Sequence, residues 1–226
     1  MTTAGKTARS DPVPRRRGRP ANDTASAVRE TDVLDLAFST FAERGYEGTT
    51  VRELAKILGV SHNLLNVRFG TKADLWRRAV DSRVSRVAPP VQRAFDAPGL
   101  DDHERLRALV HSFCQWAADN PDFVGLANAE GRRATWRIDY LVDAYILPFK
   151  LQLEALLARV AVDRPVRALP ASALLVLLVQ GVGNYFASVA MLDRLGSAGE
   201  VAPGHAERQV RAFADFILAG LLASDG

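Results

Sequence analysis

The sequence predicts an all-α chain in two parts, a small bundle of short helices near the N-terminus and a larger helical domain behind it. Two observations carry that prediction. Between Val33 and Leu75, apolar residues recur at helical spacing in three short runs separated by glycines. Beyond Lys72, the segments between Pro- and Gly-containing breaks read as helices, and no stretch gives a convincing strand signal. A chain of 226 residues, 48% hydrophobic and 24% charged, has the composition of a globular protein and can bury a core of its own.

The elements follow in order. Val33, Leu34, Ala37, Phe38 and Phe41 form one stripe, and Gly45 stops that helix because glycine accepts a left-handed conformation cheaply. Thr49 or Thr50 caps a second helix over about Val51 to Leu58. Gly59 makes the turn, and Ser61 caps a third helix ending near Phe69. Two short helices across a tight Gly-Val-Ser turn make a helix-turn-helix, whose second helix enters the DNA major groove. Thr71 caps a fourth helix from Lys72 to about Ala88, ended by Pro89-Pro90. Pro98-Gly99 marks a loop. Asp101-Asp102 start a helix that runs to Ala118, a shorter one covers Phe123–Glu130, and a long one runs from about Ala134 to Val160 with a kink or break at Pro148. Pro170 opens another to about Leu195, and a final helix reaches about Ala223 with Val210, Phe213, Ala214, Ile217 and Leu221 on one stripe. The stretch 171–195 is apolar nearly all round, which predicts burial on every side. Domain boundaries are expected at 1–25 for a basic arm without an apolar face, 26–71 for the helix-turn-helix domain and 72–226 for the rest.

Charge and cysteine content narrow the function classes. Residues 1–30 carry seven Lys/Arg against three Asp/Glu, residues 31–80 seven against six, and residues 81–226 fifteen against seventeen. The positive end is the one that would meet phosphate. A single cysteine, Cys114, excludes an intrachain disulfide, and with no apolar signal core at the N-terminus the expected location is the cytoplasm. Ala171–Leu192 carries no charge, but Gln180, Asn184, glycines and serines dilute it, so a buried interface helix is expected rather than a membrane span. Enzyme chemistry has no visible residue set. His111 and Cys114 stand one helical turn apart without further metal ligands, and no phosphate loop or nucleophile elbow occurs, so no cofactor, metal or catalytic residue is expected.

Phe41, Arg44-Gly45-Tyr46, Thr49-Thr50-Val51, Leu54-Ala55, Gly59-Val60-Ser61, Leu65, Phe69, Lys72 and Leu75 together resemble the N-terminal domain of the TetR family of bacterial transcriptional regulators. Three positions depart from that pattern: Asn63 stands where a small residue is usual, Leu64 where a small hydroxyl residue is common, and Asn66 where a tyrosine is frequent. The resemblance implies a homodimeric repressor, joined through its last two helices, here near 171–195 and 204–223. It implies that the helix after Lys72 connects the DNA-binding and regulatory domains. It also implies double-stranded operator DNA as partner and release from the operator by a small-molecule effector. A constitutive DNA-binding dimer, or an enzyme with an appended DNA-binding domain, are the alternatives.

Candidate contacts can be placed on that frame. With Leu65 and Phe69 turned to the core, a helical wheel puts Asn63, Leu64 and Val67 on the far side, Asn66 and Arg68 on the flanks and His62 near the entry. Asparagine pairs with adenine, arginine with guanine, and Leu or Val meets a thymine methyl. Thr50 and Lys72, at helix N-termini, suit phosphate. Arg15-Arg16-Arg17-Gly18-Arg19-Pro20 resembles the core of an AT-hook, in which Arg17 and Arg19 would lie along an A·T minor groove; a generic basic tail is the plainer reading. In the larger domain, Phe113, Trp116, Trp136, Tyr140 and Asn184 are the candidate ligand contacts, since amides such as Asn184, Gln180 and Asn128 among aromatic residues can orient a small molecule.

Overall fold

Helix α1 (Glu30–Arg44) buries its whole predicted stripe, from Val33 to Phe41. It is the first element of the computed structural model, which describes residues 29–163, 166–167, 169–202 and 205–222. Helix α2 (Val51–Leu58) starts at Thr50 through a reciprocal cap: the Thr50 hydroxyl accepts the Glu53 N–H at 3.2 Å, and the Glu53 carboxylate accepts the Thr50 N–H at 3.0 Å. Thr49, the other candidate cap, is instead fully buried and donates to the Gly45 carbonyl at 2.9 Å. Gly59 ends α2 in the left-handed region (φ 66°, ψ 25°). A Cβ there would meet nothing within 4 Å, so the backbone angle, not space, asks for glycine. Ser61 opens α3 (His62–Phe69) by accepting the Leu64 N–H at 3.1 Å, and Thr71 and Asp74 repeat the reciprocal cap at α4 (Lys72–Val87).

Pro89-Pro90 end α4 as the sequence predicts but open α5 (Pro89–Phe95) at once, which the sequence reading did not contain. The first residues of a helix have no intrahelical use for their N–H, so the same prolines that stop one helix start the next. Then come α6 (Asp102–Asp119), capped by Asp101, and α7 (Pro121–Glu130). The predicted long helix is α8 (Trp136–Leu141) and α9 (Leu147–Asp163), joined by a π turn over Val142–Ile146. The widened turn lies directly before Pro148, which cannot donate into the helical ladder.

The stretch from Pro170 to Leu195 is divided more than its composition suggests. It forms α10 (Ala171–Val176), a π turn over Leu177–Gly183, α11 (Asn184–Ala187) and, after a bend at Ser188, α12 (Val189–Arg194). The Ser188 hydroxyl bonds back to the Asn184 carbonyl at 2.6 Å, a local competitor of the ladder. Gly183 lets the π turn press on α7: a Cβ there would lie 2.9 Å from Val124 Cγ1. The last helix is α13 (Glu207–Leu221). Among the described residues, no helix is long and apolar enough to cross a membrane.

Two cores result. The first half of α4 (Leu75, Trp76, Ala79, Val80) closes the core of α1–α3, and Leu126 of α7 and Leu141 of α8 enter the same core from the larger domain. The second core lies among α5, α6, α9, α10 and α13. Val210, Ala214, Ile217 and Leu221 of α13 are buried in it, with Phe213 half-buried, so the predicted stripe faces its own chain. The expectation that 171–195 is buried on every side is not met within the single chain. Val176, Leu177, Val189, Met191 and Leu195 are exposed in the single chain, as is Phe216 on the outer side of α13 at 76%. Among the described residues, no further helix covers that side.

Candidate nucleic-acid interface and interior cavity

Helix α3 is held by Leu65 and Phe69, 2% and 1% exposed, and this anchoring decides which residues look outward. His62, Asn63, Asn66, Val67 and Arg68 are exposed and Leu64 is half-buried, with Val67 at 77%. An apolar side chain that exposed on a two-turn helix is free to meet a base methyl. His62 and Asn66, one turn apart, lie within 3.4 Å of each other, so they form one polar unit at the start of the face. Arg68 reaches Glu30 of α1 at 3.5 Å and lies over the Phe69 ring at 5.5 Å.

The two phosphate candidates are engaged already. The Thr50 hydroxyl is 2.8 Å from the Glu53 carboxylate, and the Lys72 ammonium stands 4.1 Å over the Tyr46 ring. A cation–π contact of that kind holds a long side chain in one place without neutralising its charge. Arg17 and Arg19 lie outside the described residues.

The sequence reading missed Arg77 and Arg78, which share a surface depression with Arg68 and Val67 at the corner between α3 and α4. Arg78 is exposed and donates to the Arg68 carbonyl at 3.2 Å. The signal was the Trp76-Arg77-Arg78 run, where a fully buried tryptophan places the following arginines at the rim. Arg52 and Lys56, exposed and one turn apart on α2, were likewise not singled out.

Above this bundle, α8 forms a joint with α4. Trp136 meets Trp76 edge to face at 5.3 Å and Tyr46 at 5.6 Å, and Tyr140 meets Trp76 at 6.0 Å. Arg137, buried, donates to the buried Glu130 at 2.8 Å and lies 4.5 Å over Tyr46. Asp81 of α4 accepts the Tyr140 hydroxyl at 2.6 Å and the Tyr145 hydroxyl at 2.5 Å. Burial, and then the Asp81 carboxylate, push both phenol pKa values up, which keeps them as donors.

Behind the joint is a cavity of about 470 Å³, within the usual range for small-molecule sites. Its walls come from the far end of α4 (Val84, Val87), from α5 and α6, from α7 and α9, and from both π turns. π turns occur often at functional sites because they displace side chains from the helical register. Of the predicted ligand contacts, Phe113 and Trp116 line it. Trp136 and Tyr140 do not; they belong to the joint, because α8 turns its aromatic side toward Trp76. Asn184 is also off the wall, where it accepts the Asn128 amide at 3.3 Å; Asn128 and Gln180 are on it. The Trp116 indole N–H and the Asn128 carbonyl oxygen are buried without a partner. Cys114 is buried beside Phe113 in the core, and burial pushes its thiol up to about 12. Among the described residues, no His/Cys/Asp/Glu group could hold a metal ion.

Comparison with known proteins agrees with this geometry. Residues 33–79 match the family described as bacterial regulatory proteins, tetR family. The chain is 35% identical over 96 residues to the HTH-type transcriptional repressor KstR2 of Rhodococcus jostii, covering 40% of this chain and 45% of that protein. Its matches span about a third to a half of the length of the curated relatives. The fold is similar over nearly all of two solved structures. One is the ketosteroid transcriptional regulator KstR2 of Mycobacterium tuberculosis, with a TM-score of 0.65, 19% identity, and 88% and 97% of the two chains covered. The other is the transcriptional regulator FadR of Bacillus subtilis in complex with stearoyl-CoA, with a TM-score of 0.62, 13% identity, and 85% and 99% covered.

Proposed function

We propose, from the premise that residues 33–79 are a DNA-binding domain of the tetR family of bacterial regulatory proteins, that this protein is a homodimeric transcriptional repressor released from operator DNA by a small apolar ligand. The observation that carries the reading is the α3 face, five exposed side chains able to meet bases or phosphates on a helix fixed by two fully buried anchors. Arg68, Arg77 and Arg78 supply phosphate or guanine contacts, and Arg17 and Arg19 reach the minor groove. The dimer forms through the exposed apolar residues of α10–α13, and it spaces two recognition helices about 34–36 Å apart for successive major grooves.

Regulation runs through α4. Its first half is part of the N-terminal core and its second half is a wall of the cavity, so a ligand that prefers one position of α4 shifts the pair of recognition helices with it. Selection of an operator from random duplexes, followed by anisotropy titrations at several salt concentrations, tests the DNA half. Loss of binding with rising salt but no sequence preference would reduce the protein to a nonspecific binder. Compounds that fill the cavity yet leave operator affinity unchanged would favour the constitutive dimer. For the dimer itself, Phe216→Asp is expected to give a folded monomer in light scattering, because the side chain is exposed in the protomer. Ile217→Asp, 5% exposed one residue later, is expected to unfold it.

A further inference from the structure

The cavity has an electrostatic character that its volume does not reveal. Among the described residues, its wall contains no Asp, Glu, Lys, Arg or His. The ionisable side chain that does reach it, Tyr145, donates its hydroxyl to Asp81, so a carboxylate stands just behind that end of the wall. An anion entering here would lose its hydration, find no cation and face a negative group. The Trp116 N–H and the Asn128 carbonyl oxygen, on wall residues, lack partners but are themselves buried, so they present no charge or open polar surface to the cavity. The Trp76 N–H is also unpaired, but Trp76 does not line this cavity. Gln92 and Gln152, paired with each other at 2.9 Å, add further neutral polar groups on an exposed part of the wall.

We infer that the cavity selects an uncharged, apolar molecule and rejects carboxylates and other anions. The inference rests on the cavity being the effector site of the proposed regulator. A fatty acid at neutral pH, or a coenzyme A thioester whose phosphates are drawn in with the acyl chain, brings charge to a wall that cannot answer it.

The test is calorimetry on the full chain with a matched series: 1-decanol, decanoate and decanoyl-coenzyme A at pH 7.5. Binding of decanol at least tenfold tighter than either anion is expected. Gln92→Arg, checked for an intact melting transition, should raise decanoate affinity. Decanoate or the thioester binding as tightly as decanol would overturn the inference, since the charge would then be met or held outside. Failure of decanol to bind a folded protein would overturn it too. Operator affinity, measured separately without any ligand, keeps the two readings apart. A chain that prefers decanol but selects no operator loses the regulator reading and keeps the ligand class, and one that selects an operator but prefers the anion does the reverse.

Discussion

The joint between α4 and α8 and the cavity one or two turns further along α4 are built from the same residue types and end up chemically opposite. In the joint, aromatic rings fill the space and the charges are matched: Arg137 by Glu130, and Asp81 by two phenols. In the cavity, aromatic rings leave about 470 Å³ open, and an indole N–H and an amide oxygen go without partners. The lesson is that aromatic and amide content alone does not locate a binding site. What separates the two regions is whether packing and hydrogen bonding are complete. Trp76, whose indole N–H is itself unpaired, shows that even the filled region accepts one such defect.

That contrast can be broken by experiment, beginning with volume. Trp76→Ala, at 0% exposure in the joint, is expected to cost about 4 kcal/mol, because the surrounding rings cannot collapse into the hole. Phe149→Ala on the cavity wall should cost roughly half as much, since that ring is half-buried and already borders empty space. Urea unfolding measures both, and equal losses would mean that the cavity is as well packed as the joint. Next comes charge. Arg137→Met strands the buried Glu130 carboxylate and should cost about 3 kcal/mol, whereas the double variant with Glu130→Leu should regain most of it. No recovery in the double variant would move the role of Arg137 from that pair to its stacking on Tyr46.

Two smaller effects sharpen the comparison. Tyr140→Phe and Tyr145→Phe each remove one donor from Asp81 and should cost about 1–2 kcal/mol apiece. Only Tyr145 lines the cavity, so only its variant should also change the affinity for decanol. A change with Tyr140→Phe would extend the cavity into the joint. The smallest effect is acid sensitivity on the outer edge of the α1–α4 contact. Arg86 donates to Asp35 and holds its carboxyl below the ordinary 3.8. A lowered folded value means that the contribution is complete above that value and lost as pH falls through the lower one. Asp35→Asn should therefore lower stability slightly near neutrality, where the contribution is complete, and flatten the stability profile below about pH 4. The pair is nearly half exposed, so the slope it removes is shallow.

The N-terminal bundle was readable because its signals are local. Thr50, Ser61 and Thr71 each cap a helix through a group three residues away, and Leu65 and Phe69 fix the outward face of α3 by spacing alone. The larger domain was readable as helices, but which of its aromatic residues border the cavity was not. Trp136 and Tyr140 pack instead on Trp76, some sixty residues earlier in the chain. The π turns and the bend at Ser188 depend on what presses against each helix, which spacing does not encode. Pro148 signalled one of them, because a missing N–H is a local fact; the turn before Asn184 had no such marker.

The close approach of Gly183 to Val124 sets an order on how this region can change over generations. Val124 is fully buried, and a methyl group appearing at 183 would lie 2.9 Å from its Cγ1, so one of the two must shift. The reverse order is open: Val124→Ala first leaves a modest hole, and Gly183→Ala then fills it. The two positions therefore trade volume along a one-way path, with the smaller residue on α7 arriving first. A lineage that enlarges residue 183 is expected to carry the reduced residue at 124 as the mark of the step that preceded it.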